Sequence, residues 1–492
     1  MKSESEGGTY NHNIPSLNPQ RKTSVVSGGV PLRKSNPLRR LSTKKTAIKD
    51  LNNSKVILIS VIFVMVLAPF NGFQNVLHEL LKEYGYPNLG LLSLAVFYLS
   101  LGLGSFVTPQ HCKKYNYKYT FFIALLPMVL FFASQWLLIA CTTEKFSICA
   151  TPAIYLICFA CALLAGIGTS LLWITMTVYV TECSNPLNKG KMFGIFNIIT
   201  QFTQIIGISL ACVLLSNFGA SFYFEVIILC CLAGTILALL LQKPETDVSD
   251  MHLLELSNFT APVRDSLLPQ DEERLLPQSS DVGIPRMENF TQRFFWKCLG
   301  MQKTLIFYPL FLTSAYNVSL FVTYLASDVF EALKFGDATP DAHFSQKFMK
   351  VLVVFLALGL GEILADKVFS SKINTDKKEA LSLTYKIFLI CGILHIIANS
   401  IGSFVLYIPI GFFYGLGDGG SQLVIGGLIS MKFLERFEPF TCFRIIYFTS
   451  LGGFFILHLL LIKGAATVSF VIFIVLIGYA WVNNYKFFTT LS

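Results

Sequence analysis

Val56-Ile-Leu-Ile-Ser-Val-Ile-Phe-Val-Met-Val-Leu-Ala-Pro-Phe-Asn-Gly-Phe-Gln-Asn-Val-Leu-His78 runs without a single Lys, Arg, Asp or Glu. A helix rising about 1.5 Å per residue crosses the roughly 30 Å hydrocarbon core of a bilayer in about 20 residues, so this stretch reads as a spanning helix. Working outward, comparable segments follow at about 88–109, 119–141, 151–180, 191–216 and 220–242, then at about 304–328, 347–366, 384–402, 404–431, 439–462 and 465–487. The expectation is an all-α membrane protein with about 12 transmembrane helices in two six-helix halves. Composition agrees: 53% of the 492 residues are hydrophobic and 14% charged, against about 25% charged in a soluble domain. The expected organisation is a disordered basic tail over 1–54, a six-helix half over 55–242, a polar linker over 243–302, a second half over 303–487 and a short tail over 488–492. The first fifty residues hold no apolar core before a small-residue cleavage site, so the first span is expected to act as its own insertion signal.

The formal charge of +9 sits in the N-terminal tail and in short loops, which makes it orientation information and excludes a nucleic-acid footprint. Arg33, Lys34, Arg39, Arg40, Lys44, Lys45 and Lys49 precede the first span, Lys113, Lys114 and Lys118 lie between the second and third, and Lys367, Lys372, Lys377, Lys378 and Lys386 surround the eighth and ninth. The opposite loops are poorer in cations. Both termini and the linker are therefore expected in the cytosol. Of the twelve cysteines, Cys141 and Cys149 flank a short loop on the expected non-cytosolic side and are open to a disulfide; the rest read as small core residues. No metal spacing, phosphate loop or nucleophile elbow occurs, so neither an enzyme nor a cofactor is expected.

The halves repeat weakly. Leu101-Gly-Leu-Gly104 is echoed by Leu358-Gly-Leu-Gly361, and Gly166-Ile-Gly-Thr169 by Gly415-Leu-Gly-Asp418. Paired halves with a site at their interface are a transporter architecture, although such glycines also serve close helix packing. Gly361-Glu-Ile-Leu-Ala-Asp-Lys367, at the expected cytosolic end of the eighth span, is similar to the Gly-x-x-x-Asp-Arg/Lys element of the major facilitator superfamily. That resemblance implies a major-facilitator fold with a cytosolic latch at Gly361, Asp366 and Lys367, where the carboxylate meets a helix N-terminus. The first half carries Gly104-Ser-Phe-Val-Thr-Pro109 and lacks the acid, so the latch would be one-sided.

Four stretches go further: Ser93-Leu-Ala-Val-Phe-Tyr-Leu-Ser100, Gly166 to Thr181, Gly190-Lys-Met-Phe-Gly-Ile-Phe196 and Gly415-Leu-Gly-Asp-Gly-Gly-Ser-Gln422. In this order they resemble the Unc-ninety-three-like, or ion channel regulatory, family. The resemblance implies a non-enzymatic multi-pass protein that regulates or escorts another membrane protein, such as a channel or receptor. The alternative is a secondary transporter moving a small polar or cationic solute, or a proton, by alternating access.

Ionisable groups inside a membrane are costly and are functional candidates by default. Asp418 is the strongest, as a proton or cation site or a polar lock between helices. Asn71, Gln74, Trp173, Thr177, Tyr179, Tyr316, Asn317 and Gln422 lie on the first, fourth, seventh and tenth spans, which line the central cavity in the major-facilitator arrangement. Asn197, Gln201 and Gln204 share one face of the fifth span, and interhelical hydrogen bonding explains them equally well. Arg444 reads as snorkelling or pairing with Glu435 or Glu438, and His395 with Asn399 as packing. In the linker, Asp271, Leu275 and Leu276 have the form of an acidic-dileucine sorting signal, which points to endosome or lysosome, with the plasma membrane as the other destination. The linker sequons at Asn258 and Asn289 are decoys if that loop is cytosolic. Arg39-Arg-Leu-Ser42 resembles a kinase site, where phosphorylation of Ser42 would weaken attachment to anionic lipid.

Overall fold

The structure is a computed structural model that describes residues 37–143, 149–184, 189–244, 296–297, 299–300, 302–333, 340–432, 438–461 and 466–490. The chain divides into two compact units, Met1–Thr46 and Ala47–Ser492. In the first, the described part is helical backbone from Pro37, which includes Ser42; its side chain, and the linker residues Asp271, Leu275 and Leu276, lie outside the described residues. All side-chain detail below belongs to the second unit.

Twelve long helices and no strand occur among the described residues. They are α1 (Pro37–Glu83), α2 (Leu89–Gly104), α3 (Tyr117–Thr143), α4 (Thr151–Cys183), α5 (Lys189–Asn217), α6 (Gly219–Leu237), α7 (Tyr308–Ala332), α8 (Pro340–Thr375), α9 (Lys377–Ile401), α10 (Phe404–Lys432), α11 (Glu438–Leu460) and α12 (Ala466–Thr490). Ten contain a segment long and apolar enough to cross a membrane. The other two are α2, apolar but 16 residues long, and α10, whose 29 residues are diluted by glycines and Asp418. Large apolar side chains such as Leu156, Leu229, Val405 and Val475 stand exposed on the outer faces. That surface meets lipid, and the chain is an integral membrane protein.

Local chemistry explains where the helices differ from the hydropathy segments. The second segment breaks after Gly104, because Pro109 cannot continue the backbone ladder. The hydroxyls of Ser105 and Thr108 bond back to the carbonyls of Leu101 and Gly104, and a short helix, Thr108–Lys114, restarts the chain. The α7 helix is interrupted by a π turn over Phe321–Leu325, a geometry that frequently marks functional sites. Gly402, at φ 68°, ends α9 in the left-handed region, where a side chain would be strained. Asp376 caps α9 by accepting from the amides of Lys378 and Glu379 at 2.9 and 3.1 Å. The α8 helix continues to Thr375, so Asp366 sits within it, more than two turns from its end, and not at the end as expected.

The two halves use the same crossing. In the first, Gly104 of α2 lies against Ile167 and Ser170 of α4, and Gly166 against Phe97 and Leu101. In the second, Gly361 of α8 lies against Phe412 and Leu416 of α10, and Gly411 against Val354. A Cβ at Gly166, Gly361 or Gly411 would strike the backbone of the opposing helix, and one at Gly104 would crowd it, so the backbones approach directly. The contacts match Gly166 with Gly411 and not with Gly415. The echo seen in the sequence is therefore one helical turn out of register, and the corrected match sets Asp418 where the first half has Trp173. Between the halves, α2 packs on α11, with Gly452 against Leu99 and Gly102 against Thr449, and α5 packs on α8, with Gly359 against Ile205.

Candidate functional site

The α1 helix places Asn71 and Gln74 one turn apart. Asn71 donates to Thr203 Oγ1 of α5 at 3.0 Å and Gln74 Nε2 donates to Asn71 Oδ1 at 3.4 Å. Gln74 Oε1 in turn accepts the hydroxyl of Tyr98, on α2, at 2.5 Å. The Tyr98 ring is stacked on Phe448 and Phe455 of α11 at 6.0 and 5.7 Å. A buried polar chain thus runs from α5 through α1 to α2 and ends on a ring that bridges the halves.

From the other half, Asp418 faces this chain. Its carboxyl lies within electrostatic range of Tyr98, of Tyr447 on α11 and of Glu362 on α8. Gln422, one turn along α10, lies near the same carboxyl, and Gln422 and Ser314 lie near the Tyr447 hydroxyl. Ser314 is joined to Ser421 at 2.6 Å. One carboxylate oxygen of Asp418, Oδ1, is buried with no hydrogen-bond partner, whereas buried carboxylates are ordinarily satisfied. Asp418 and Gln422 are nonetheless partly exposed as residues.

Arg444 stands one turn before Tyr447 on α11. Its guanidinium lies over the indole of Trp173, 5.1 Å from the ring centroid, and Trp173 is braced edge-on by Phe63 at 5.4 Å. This cation–π contact joins α11 to α4, across the halves. It takes the place of the expected snorkelling: the side chain turns inward, where an aromatic face compensates the lost water. Glu435, one of the two acids expected as partners, lies outside the described residues. Among the described residues, no carboxylate pairs with this guanidinium.

Of the nine cavity candidates, the structure gathers Asn71, Gln74, Trp173, Asp418 and Gln422 on the interior between the halves. Thr177 bonds to the carbonyl of Trp173 on its own helix. Tyr179 points elsewhere: its hydroxyl donates to the Gln242 carbonyl and its ring packs on Tyr117 and Phe121. Tyr316 donates to the Ser469 carbonyl and stacks on Phe473, which makes it a joint between α7 and α12. Asn317 is fully buried and neither side-chain polar atom has a partner. Of the latch residues, Gly361 packs on α10, Lys367 is exposed, and Asp366 Oδ1 is buried without a partner.

Sequence reasoning missed Glu362, Tyr98, Tyr447 and Ser314. Glu362 was legible as an acid within an apolar segment; the others become part of the site only through helix packing. His395, expected to pack, holds a buried carboxyl: Nε2 lies 2.7 Å from Asp328 Oδ2 and Nδ1 lies 3.0 Å from the Tyr414 hydroxyl. Its neighbour Asn399 accepts from Tyr407 at 2.5 Å. Cys141 and Cys149 form the disulfide that their spacing left open.

No curated protein matches the chain. The family model of the Major Facilitator Superfamily matches residues 129–433, from within α3 past the end of α10. With more than half of the sequence matched, the chain belongs to the Major Facilitator Superfamily.

Proposed function

We propose that the protein is a secondary carrier that binds a small polar solute between its halves, with Asp418 at the centre of the site. The observation that carries this reading is the unpartnered, buried oxygen of Asp418 in a space lined from both halves by Gln74, Tyr98, Tyr447 and Gln422. A carboxyl removed from water is neutralised by a proton or by a cationic partner, and a carrier exploits that demand. The glycine crossings support it too, because two halves touching at α2–α11 and α5–α8 are suited to rock about those contacts. In this reading the protein is not an enzyme, both termini face the cytosol, and the Cys141–Cys149 disulfide lies on the opposite, oxidising side.

A second reading is a regulatory or escort protein of the Unc-ninety-three-like kind, acting on a channel or receptor. The one-sided latch favours it: Asp366 has its matched position in the first half occupied by Pro109, in the short helix after α2. On that reading Asp366, Lys367, the linker motif at Asp271, Leu275 and Leu276, and Ser42 govern trafficking rather than transport.

The test is uptake into vesicles and thermal-shift screening of the purified full chain, wild type beside Asp418→Asn. Saturable binding or flux that vanishes in the variant supports the carrier. A folded protein that answers to no solute, and whose cellular effect on a membrane partner survives Asp418→Asn, supports the escort.

A further inference from the structure

We infer that the occupant of this site is a small zwitterion, whose carboxylate meets Arg444 above Trp173 while its ammonium meets Asp418. The inference rests on the carrier reading and deepens it by naming the substrate class.

Three observations converge. Arg444 is partly exposed, is held over Trp173, and has no carboxylate paired with it among the described residues. A guanidinium is a fork of donors shaped for a carboxylate, and one stacked on a ring is already oriented with its N–H edge free. Asp418 carries the complementary vacancy, one buried oxygen with no donor. Helix geometry relates the two charges through Tyr447: Arg444 and Tyr447 are three apart on α11 and so share a face, and Tyr447 lies within electrostatic range of Asp418. A dipolar solute that reaches along this face from one charge to the other answers both. A solute bearing only a cation would leave Arg444 unanswered and add a second positive charge to the same space. An anion alone would leave Asp418 unanswered.

The corrected register between the halves strengthens the point. Trp173 and Asp418 occupy matched positions on α4 and α10, so the two recognition elements face the interior from pseudo-equivalent places on the two halves. A zwitterion bridging them would contact both halves at once and tie its binding to their relative motion.

The experiment uses the purified full chain in nanodiscs and a matched charge series. Alanine, leucine, phenylalanine and the dipeptide alanyl-alanine supply zwitterions of increasing size. Their N-acetyl forms carry only the carboxylate, and their amides only the ammonium. Saturable thermal stabilisation by at least one zwitterion, weakened at least tenfold in both of its singly charged forms, is the expected result. Arg444→Gln and Asp418→Asn should each weaken it at least tenfold, with Arg444→Lys retaining an intermediate affinity that certifies the fold. If an amide binds as well as its parent and Arg444→Gln leaves it unchanged, the carrier stands and the zwitterion is overturned. Preferential binding of an N-acetyl form, indifferent to Asp418→Asn, overturns it equally. Silence from zwitterions while another solute binds refutes the zwitterion alone, and silence across every charge class in a folded protein refutes the zwitterion and the carrier together.

Discussion

At the scale of the residue, the membrane interior makes every unpartnered polar atom informative. Trp173 compensates the Arg444 guanidinium in place of water, a contact that contributes about 0.5–2 kcal/mol. Trp173→Ala should therefore lower solute affinity by more than it lowers the melting temperature, whereas Trp173→Phe should keep part of both; paired binding isotherms and melts check this. His395 has a different role. It is fully buried, with Asp328 on α7 and Tyr414 on α10 as partners of its two ring nitrogens. Replacement by Ala strands a carboxyl and a hydroxyl at once, at a cost of about 1–3 kcal/mol for each buried group left unsatisfied. The expected outcome is a lower melting temperature in detergent, with solute affinity in the surviving folded fraction unchanged. Neither role was visible in the sequence, where Arg444 looked like a headgroup anchor and His395 like filler.

At the scale of the element, the glycines decide how α8 and α10 meet. Gly411, Gly415 and Gly419 recur every four residues and so line one face, and each is set directly against α8 at Val354, Leu358 and Glu362. This crossing brings Glu362 beside Asp418, so packing and chemistry depend on the same residues. Gly415→Leu should overpack the crossing by about 1–3 kcal/mol or more and abolish solute binding, while Gly453→Leu, at a position with open space around it, should be neutral. Fluorescence-detected melts of the two variants side by side make the comparison. The disulfide acts at the α3–α4 turn. Its loss in Cys141→Ser should cost about 2–3 kcal/mol if loop entropy dominates, and a membrane-impermeant thiol reagent should label the reduced pair from the non-cytosolic face; labelling only from the cytosolic face would reverse the proposed orientation.

At the scale of the molecule, the proposed transport requires that the two halves move past each other while the contacts between them survive. The close approaches at α2–α11, with Gly452 against Leu99, and at α5–α8, with Gly359 against Ile205, are where that motion must be absorbed. A cysteine pair introduced as Leu99→Cys and Gly452→Cys, in a background cleared of its free thiols, should crosslink on oxidation and stop flux while leaving binding from one side intact. Flux that persists after complete crosslinking would mean that these helices are not the moving joint.

Hydropathy alone determined that the chain lives in a membrane, where its helices run and that they fall into two groups, because each span must satisfy its backbone within itself and so announces itself locally. The prominence of Asp418 was equally legible, since an acid among glycines in an apolar run has few structural excuses. Only the tertiary structure decided which polar residues share a space. Tyr179 and Tyr316 lie on helices that line the interior but point into other seams, while Tyr98, Tyr447 and Glu362 lie on neighbouring helices and point inward. Periodicity reports a helix and its faces; it is silent on how each helix is rotated against its neighbours. That rotation is set by the glycine crossings, whose register departs by one turn from the pattern of the letters.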